Sequence, residues 1–368
     1  MKAAALPRGE LEGSILGRLS TLDRFLPVWI GLAMAAGLAL GRIFPGLNDQ
    51  LDRVKIDTTS LPIAIGLLGM MYPVLAKVRY GRLRNVTADR PLVLSSLLLN
   101  WLVGPALMFA LAWIFLADLP EFRTGIILVG LARCIAMVLI WNALACGDGE
   151  AAAVLVVLNS VFQVAAYAVL GYFYLELLPG WLGLDRAAVD FALWDIAKSV
   201  LIFLGVPLAL GFLTSLIGRR RKGDEWYEQR FLPRIGPWAL YSLLFTVVIL
   251  FAIQGDAITS QPFDVVRIAV PLIFYFALMW TVAFAWGRAQ SFAYPRTATL
   301  AFTAAGNNFE LAIAVAIATF GVSSGQALAG VVGPLIEVPA LVALVYVSLW
   351  AGRRFFGASG LASDGGAA

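Results

Sequence analysis

The chain has 368 residues, of which 61% are hydrophobic and only 14% charged. Soluble domains carry about 25% charged and about 45–50% apolar residues, so this balance excludes a soluble globular protein and points to a polytopic membrane protein. The net charge of +4 is spread over short loops, where it reads as a topology signal and not as a nucleic-acid footprint; the absence of any histidine removes His-ligated metal sites, His proton relays and Ser-His triads.

Residues 1–24 are polar and mildly basic, with Lys2, Arg8, Arg18 and Arg24. They lack the short apolar core and small-residue cleavage site of a signal peptide and are expected to lie in the cytoplasm. Apolar runs follow, each of about 20 residues and long enough to cross about 30 Å of hydrocarbon. They predict ten spans, at 25–45, 59–78, 91–117, 125–146, 150–178, 196–217, 235–255, 264–287, 295–320 and 328–352. The connections are short except 179–195 and 218–234. The tail, 353–368, turns Gly/Ala/Ser-rich beyond Phe356 and is expected to be flexible and cytoplasmic.

Lysine and arginine set the orientation. Lys77, Arg79, Arg82, Arg84 and Arg90 follow span two; Arg219, Arg220, Arg221, Lys222, Arg230 and Arg234 follow span six. Arg288 and Arg296 follow span eight, and Arg353 and Arg354 begin the tail. With both termini in the cytoplasm all of these fall inside, as the positive-inside rule requires. The opposite loops are acidic or mixed: Asp118, Glu121 and Arg123 after span three, and Asp256, Asp264 and Arg267 after span seven.

The two halves, 25–178 and 196–352, repeat certain features at a nearly constant offset. Pro62 and Pro237 are 175 residues apart, Gly147 and Gly321 are 174 apart, and Cys134 and Glu310 are 176 apart. Five spans is an odd number, so two such repeats lie inverted in the membrane, an architecture common in secondary transporters.

Two polar stretches interrupt membrane-length apolar segments at matching places. An Arg or an acid at mid-span costs roughly 2.5–3.5 kcal/mol on insertion scales, so such residues point to a pathway or site. In span nine, Gly306-Asn307-Asn308 is a poor helix former, and Glu310 follows at once. Local unwinding there frees backbone groups, and a carboxyl that takes and releases a proton is a natural proton carrier. The plain alternative is interhelical hydrogen bonding. In span four stand Arg133 and Cys134. A buried Cys is either a soft nucleophile or a small hydrophobe. Arg133 does not face its neighbour along a helix, so an acid elsewhere is a candidate partner. No Gly or Pro follows Gly130 in this span, so residues alone mark no helix break there.

Glu337, between Pro334 and Pro339 where a helix is expected to kink, is either a partner for Arg133, a proton carrier or a purely structural ion-pair member. Asn142, Asn159 and Asn100 are candidate cavity-lining residues. Trp101, Trp113, Trp280 and Trp350 read as belt or packing residues. Cys146, at the end of span four, reads as incidental.

No phosphate loop, Cys-x-x-Cys pair or nucleotide motif is present, so a gradient must supply the work. No nucleophile–base pair or metal cluster suggests an enzyme, and no soluble signalling domain suggests a sensor. One further class is a sodium-coupled organic-anion symporter.

Four motifs carry a family resemblance. Met70-Met71-Tyr72-Pro73-Val74-Leu75-Ala76-Lys77-Val78, Gly130-Leu131-Ala132-Arg133-Cys134-Ile135-Ala136-Met137-Val138 with Trp141-Asn142, Phe302 to Ala314 around Asn307-Asn308-Phe309-Glu310, and Gly333-Pro334-Leu335-Ile336-Glu337-Val338-Pro339 resemble the signatures of arsenite-efflux permeases, members of the bile-acid/arsenite/riboflavin transporter superfamily. The resemblance covers roughly residues 25–352. It implies an all-α membrane protein of ten helices in two inverted five-helix repeats. These form panel and core subdomains, with broken helices four and nine crossing near the site. It implies arsenite export across the inner membrane driven by proton influx, without a cofactor. By motif match Cys134 is the essential thiol, with trivalent arsenic as the cargo, and Glu310 the essential acid; from the residues themselves, Arg133, Asn307, Asn308 and Asn142 are the further candidates for binding and Glu337 for proton coupling. The expected partners are arsenite, protons and the lipid bilayer; antimonite as a second cargo and homo-oligomerisation are left open.

Overall fold

A computed structural model describes residues 25–44, 46, 55–56, 59–78, 89–135, 137–184, 193–260 and 262–356. The expected N-terminal segment 1–24, Arg79, Arg82 and Arg84, residues 185–192 of the 179–195 connection and the tail beyond Phe356 lie outside these residues. The fold is all-α apart from a two-residue antiparallel pair, β1 (Lys55–Ile56) and β2 (Thr59–Ser60). In chain order the helices are α1 (Leu26–Ile43), α2 (Leu61–Ala76), α3 (Arg90–Phe115), α4 (Pro120–Leu131), α5 (Met137–Leu144), α6 (Gly149–Leu182), α7 (Leu193–Lys222), α8 (224–260), α9 (Pro262–Ala289), α10 (Tyr294–Ala305), α11 (Phe309–Phe320) and α12 (Gly325–Phe355). Among the described residues six helical stretches, in α3, α6, α7, α8, α9 and α12, are long and apolar enough to cross a membrane; α1, α2 and α11 contain shorter apolar helices. The chain is a multi-span membrane protein.

Prolines shape the long helices in a regular way. α3, α6, α7 and α8 each contain one π-helical turn: Leu99–Val103, Phe173–Leu177, Leu201–Gly205 and Tyr227–Phe231. Each turn is followed two residues later by a proline: Pro105, Pro179, Pro207 and Pro233. A proline ring collides with the carbonyl four residues before it and donates no hydrogen bond. Widening the preceding turn moves that carbonyl aside and keeps the helix continuous. In α12 the helix runs on through both Pro334 and Pro339, so the kink expected around Glu337 does not break it.

Two loops expected from charge are helical instead. The 218–234 connection shrinks to Gly223, whose φ of 85° stops α7 before α8 starts. Arg219 clamps the junction, pairing with Asp224 at 2.6 Å and Glu228 at 3.2 Å. The charged helix ends simply extend past the apolar span. Likewise Glu121 and Arg123 lie in α4. Arg123 is buried, 3.7 Å over the Trp113 ring, and donates to Ala117 O at 2.6 Å.

Packing divides the helices. α8 lies along α1 and α2, and α2 also meets α7. The remaining helices pack chiefly among themselves: α9 on α10 and α12, α12 on α4 and α11, α3 on α4. The first turns of α7, Leu193–Val200, rest on α6 and α11 and join the two groups. Gly37 lets α1 approach α8 closely: a Cβ there would stand 2.6 Å from Val248 O and 2.7 Å from Phe251 Cβ. Small residues at such seams replace the hydrophobic drive that lipid cannot provide. Gly37→Leu is therefore expected to lower stability by roughly 1–3 kcal/mol through overpacking, read as a lower thermal midpoint in detergent; an unchanged midpoint would show that this seam is loose.

Candidate functional site

Two helical paths stop inside the bundle and restart. α4 ends at Leu131, Ala132 is extended (φ −89°, ψ 125°), and α5 begins at Met137. α10 ends at Ala305, Gly306 is extended (φ −73°, ψ 141°), and α11 begins at Phe309. The interruptions lie against each other as a short antiparallel bridge between Arg133 and Asn307. Cys134 N donates to Gly306 O at 3.2 Å, and Asn308 N donates to Ala132 O at 3.1 Å. The Asn307 side chain donates to Val129 O at 2.9 Å and Ala132 O at 3.1 Å. Each segment thus takes up backbone groups that the other's break leaves free. Glycine is needed at 306, because a Cβ there would sit 2.9 Å from Cys134 Cβ.

Arg133 is fully buried at this crossing. Its guanidinium donates to Tyr275 Oη at 2.6 Å, to Ala304 O at 3.4 Å and to Gly130 O. Its backbone N–H donates to Gln163 Oε1 at 2.8 Å. Gly130 and Ala304 belong to the last turns of α4 and α10, whose C-terminal ends each carry roughly −0.5 of a charge. One guanidinium offsets two such ends. The acid partner expected for Arg133 is absent among the described residues. Glu337 instead accepts from Asn307 N at 3.4 Å, and no ion pair of Glu337 occurs among the described residues.

The N-terminal ends of α5 and α11 gather the other polar groups. Cys134 Sγ accepts from Val138 N at 3.3 Å, and Asn308 Oδ1 caps α11 by accepting from Leu311 N at 3.0 Å. Glu310 lies in the first turn of α11. Cys134, Asn308 and Glu310 line one small cavity of about 20 Å³ with Met70, Met71, Val74, Ile135 and Met137. A larger cavity of about 1030 Å³ shares Met70, Val74, Ile135, Met137 and Glu310. It widens toward Lys77, Cys146, Asp148, Glu150 and Arg296, between α2 and α8 on one side and α5, α6 and α10 on the other. Glu310 therefore stands where the two spaces meet.

The sequence-derived set divides accordingly. Cys134, Asn308 and Glu310 converge on one cavity. Arg133, Asn307 and Glu337 line neither cavity and hold the crossing from behind. Asn142 also lines neither: its side chain accepts from Thr299 Oγ1 at 2.7 Å and ties α5 to α10. Asn159 accepts from Trp101 Nε1 at 3.2 Å and Asn100 donates to Ser96 O at 2.9 Å, both away from the cavities. Gln163, Tyr275 and Thr299 escaped the sequence reading. Gln163 carried the same signal as the asparagines, an amide inside an apolar span; Tyr275 and Thr299 blend into ordinary membrane helices. Cys146, read as incidental, is on the wall of the larger cavity. Among the described residues no three His, Cys, Asp or Glu residues group to hold a metal ion.

A family model described as the sodium bile acid symporter family matches residues 64–261. An arsenical-resistance protein, Acr3, of Corynebacterium glutamicum is 57% identical over 339 residues, covering 92% of each chain. An Acr3 of Alkaliphilus metalliredigens is 31% identical over 336 residues, 89% of this chain and 92% of the relative. An uncharacterized transporter of Synechocystis is 35% identical over 351 residues, 90% of this chain and 89% of the relative.

The geometry orders the two thiols. Cys134 is 3% exposed in the small cavity, whereas Cys146 is partly exposed on the larger one. Brief treatment with N-ethylmaleimide, followed by peptide mapping, is expected to modify Cys146 before Cys134. The reverse order would mean that the small cavity is the more open.

Proposed function

The chain belongs to the sodium bile acid symporter family and, within it, to the arsenite-efflux permeases, and from that premise we propose that it exports trivalent arsenite from the cytoplasm in exchange for protons. It is a transporter and not an enzyme. The observation that carries the reading is the convergence of Cys134, Asn308 and Glu310 on one small cavity, with Glu310 shared by the larger one.

The chemistry suits a cargo that must be held and then released. Arsenous acid is small, neutral near pH 7 and soft at arsenic. The Cys134 thiol exchanges with one hydroxyl: an S–As bond forms, an As–O bond breaks, and the thiol proton leaves with the hydroxide as water. Three thiolates would hold arsenic too tightly, and passage through a membrane site requires binding weak enough to reverse. The Asn308 amide, whose Nδ2 has no acceptor among the described residues, is placed to hydrogen-bond a hydroxyl of the cargo. Antimonite has the same chemistry and belongs to the same proposal.

Glu310 is the proton carrier of this scheme. Protonated, it releases the cargo site; ionised, it attracts the next proton. Glu337, which accepts from Asn307 N, stands at the same crossing and is the second acid of the scheme. The larger cavity reaches Lys77 and Arg296, beside Asp148 and Glu150. Under the positive-inside rule that end faces the cytoplasm, which makes this conformer open to the side where arsenite is collected. The helical paths in chain order, with α4/α5 and α10/α11 each counted as one broken span, fit ten spans in an inner membrane with both termini cytoplasmic. Breaks centred on Arg133 and Asn307 fit two inverted repeats. The α1, α2 and α8 group with the membrane part of α7 fits a panel, and the remaining helices a core.

Radioactive arsenite uptake into everted vesicles with an imposed pH gradient tests this. Uptake is expected for the parent chain and is expected to fall to background in Cys134→Ala. In Glu310→Gln, stimulation by the pH gradient is expected to vanish; retained proton-coupled exchange in that variant would sink the assignment of the proton to Glu310. Absence of uptake by correctly folded parent protein, with sodium-dependent uptake of an organic anion in its place, would favour symport of the kind that the family description names.

A further inference from the structure

A second cavity, of about 660 Å³, lies on the outside of the bundle between the C-terminal halves of α9 and α12. Its inner wall is Trp280 and Phe284, each 5% exposed; its rim is Val347, Trp350 and Phe355, which are 41%, 59% and 44% exposed. Large apolar side chains this exposed on membrane-length helices face acyl chains. From Trp280 to Arg288 the groove follows eight residues of helix, about 12 Å at 1.5 Å per residue. That is most of the depth of one leaflet, about half of a 30 Å hydrocarbon layer.

The groove is charged at one end only. Arg288 lines it there, exposed, with its guanidinium 4.5 Å over the Phe355 ring. Arg353 and Arg354 occupy the last turn of α12 at the same end and are also exposed. Neither 285–292 nor 350–356 contains an acid, and among the described residues none of the three forms an ion pair. Two helix C-termini also end here, but their partial negative charge, roughly −0.5 each, offsets only part of three positive charges. An apolar slot of leaflet depth capped by uncompensated arginine has the shape and charge pattern of an anionic lipid: a chain below, a phosphate above. Basic pockets between membrane helices are the recognised setting for such headgroups. A second copy docked through this face would bring two arginine clusters together, and like charges oppose that.

We propose that this groove is a binding site for one anionic phospholipid, its acyl chain against Trp280, Phe284 and Trp350 and its phosphate at Arg288. The site is separate from the transport cavity and selects lipid by headgroup charge. The stacked Phe355 ring fixes where the guanidinium stands, which a solvated surface arginine lacks.

Native mass spectrometry of the purified protein, supplied with equimolar phosphatidylglycerol and phosphatidylcholine, tests it. Retention of one phosphatidylglycerol over phosphatidylcholine is expected, and Arg288→Gln is expected to lower that preference about fivefold, the effect of removing one basic contact at a membrane surface. Arg230→Gln removes an exposed cation elsewhere and is expected to leave the preference unchanged. Equal retention of the two lipids, or an equal loss in both variants, would overturn the site in favour of general electrostatics. Crosslinking of a Trp350→Cys variant into dimers with no lipid retained would overturn it in favour of a second copy as the occupant.

Discussion

Backbone that leaves a helix inside a bilayer must find its hydrogen bonds in protein, and this structure depends on how that demand is met. Each unsatisfied amide or carbonyl in hydrocarbon costs several kcal/mol. Two breaks in separate places would each need their own remedy. Brought together, they satisfy one another: Cys134 N on Gly306 O, Asn308 N on Ala132 O, with the Asn307 amide taking Val129 O and Ala132 O. The close approach this requires is what Gly306 permits. The side chains that line the small cavity are thus placed by a backbone constraint, since Cys134 and Asn308 belong to the paired segments and Glu310 follows two residues later.

The same crossing sorts charge. Helix C-termini meet on one side and N-termini on the other. Arg133 serves the negative ends through Gly130 O and Ala304 O, held by Tyr275 and, through its backbone, by Gln163. A guanidinium neutralised by two half-charges needs no carboxylate. Glu337, one candidate partner for Arg133, is then without an ion pair among the described residues. A carboxyl locked to an arginine is poorly suited to give up and regain a proton, whereas one standing at a cavity junction is well suited. The arginine thus braces the scaffold of the crossing, although it adjoins Cys134 in sequence.

How much of this is legible in the sequence follows from what periodicity can encode. Apolar runs give an all-helical, multi-span membrane protein, because bilayer thickness acts on composition directly. Gly306-Asn307-Asn308 announces its own break through poor helix formers. The break after Leu131 is silent, because Ala132, Arg133 and Cys134 are adequate helix residues and only pairing with a distant segment pulls them out. Asn142 misleads for the converse reason: an amide in a span looks like a ligand until Thr299 is found 2.7 Å away. The basic 218–234 stretch looks like a loop because charge ends the membrane span, yet nothing in Arg219-Arg220-Arg221-Lys222 ends a helix until Gly223 does.

The paired breaks also restrict how access to the site can change. Separating α4/α5 from α10/α11 would expose the very groups the crossing satisfies, so these four segments must move as one body. The walls of the larger cavity come from both groups of helices: Met70, Val74, Leu240 and Leu243 from α2 and α8, and Ile135, Met137, Ile140 and Val156 from the other side. Those facing surfaces are apolar and share few directional bonds, so sliding one across the other breaks little. The seam between α1 and α8 is the opposite case, a glycine-lined contact whose backbones touch too closely to slide. Any motion that closes the basic mouth and opens the far end must then run between the two groups, and it must release the first turns of α7 from α6 and α11.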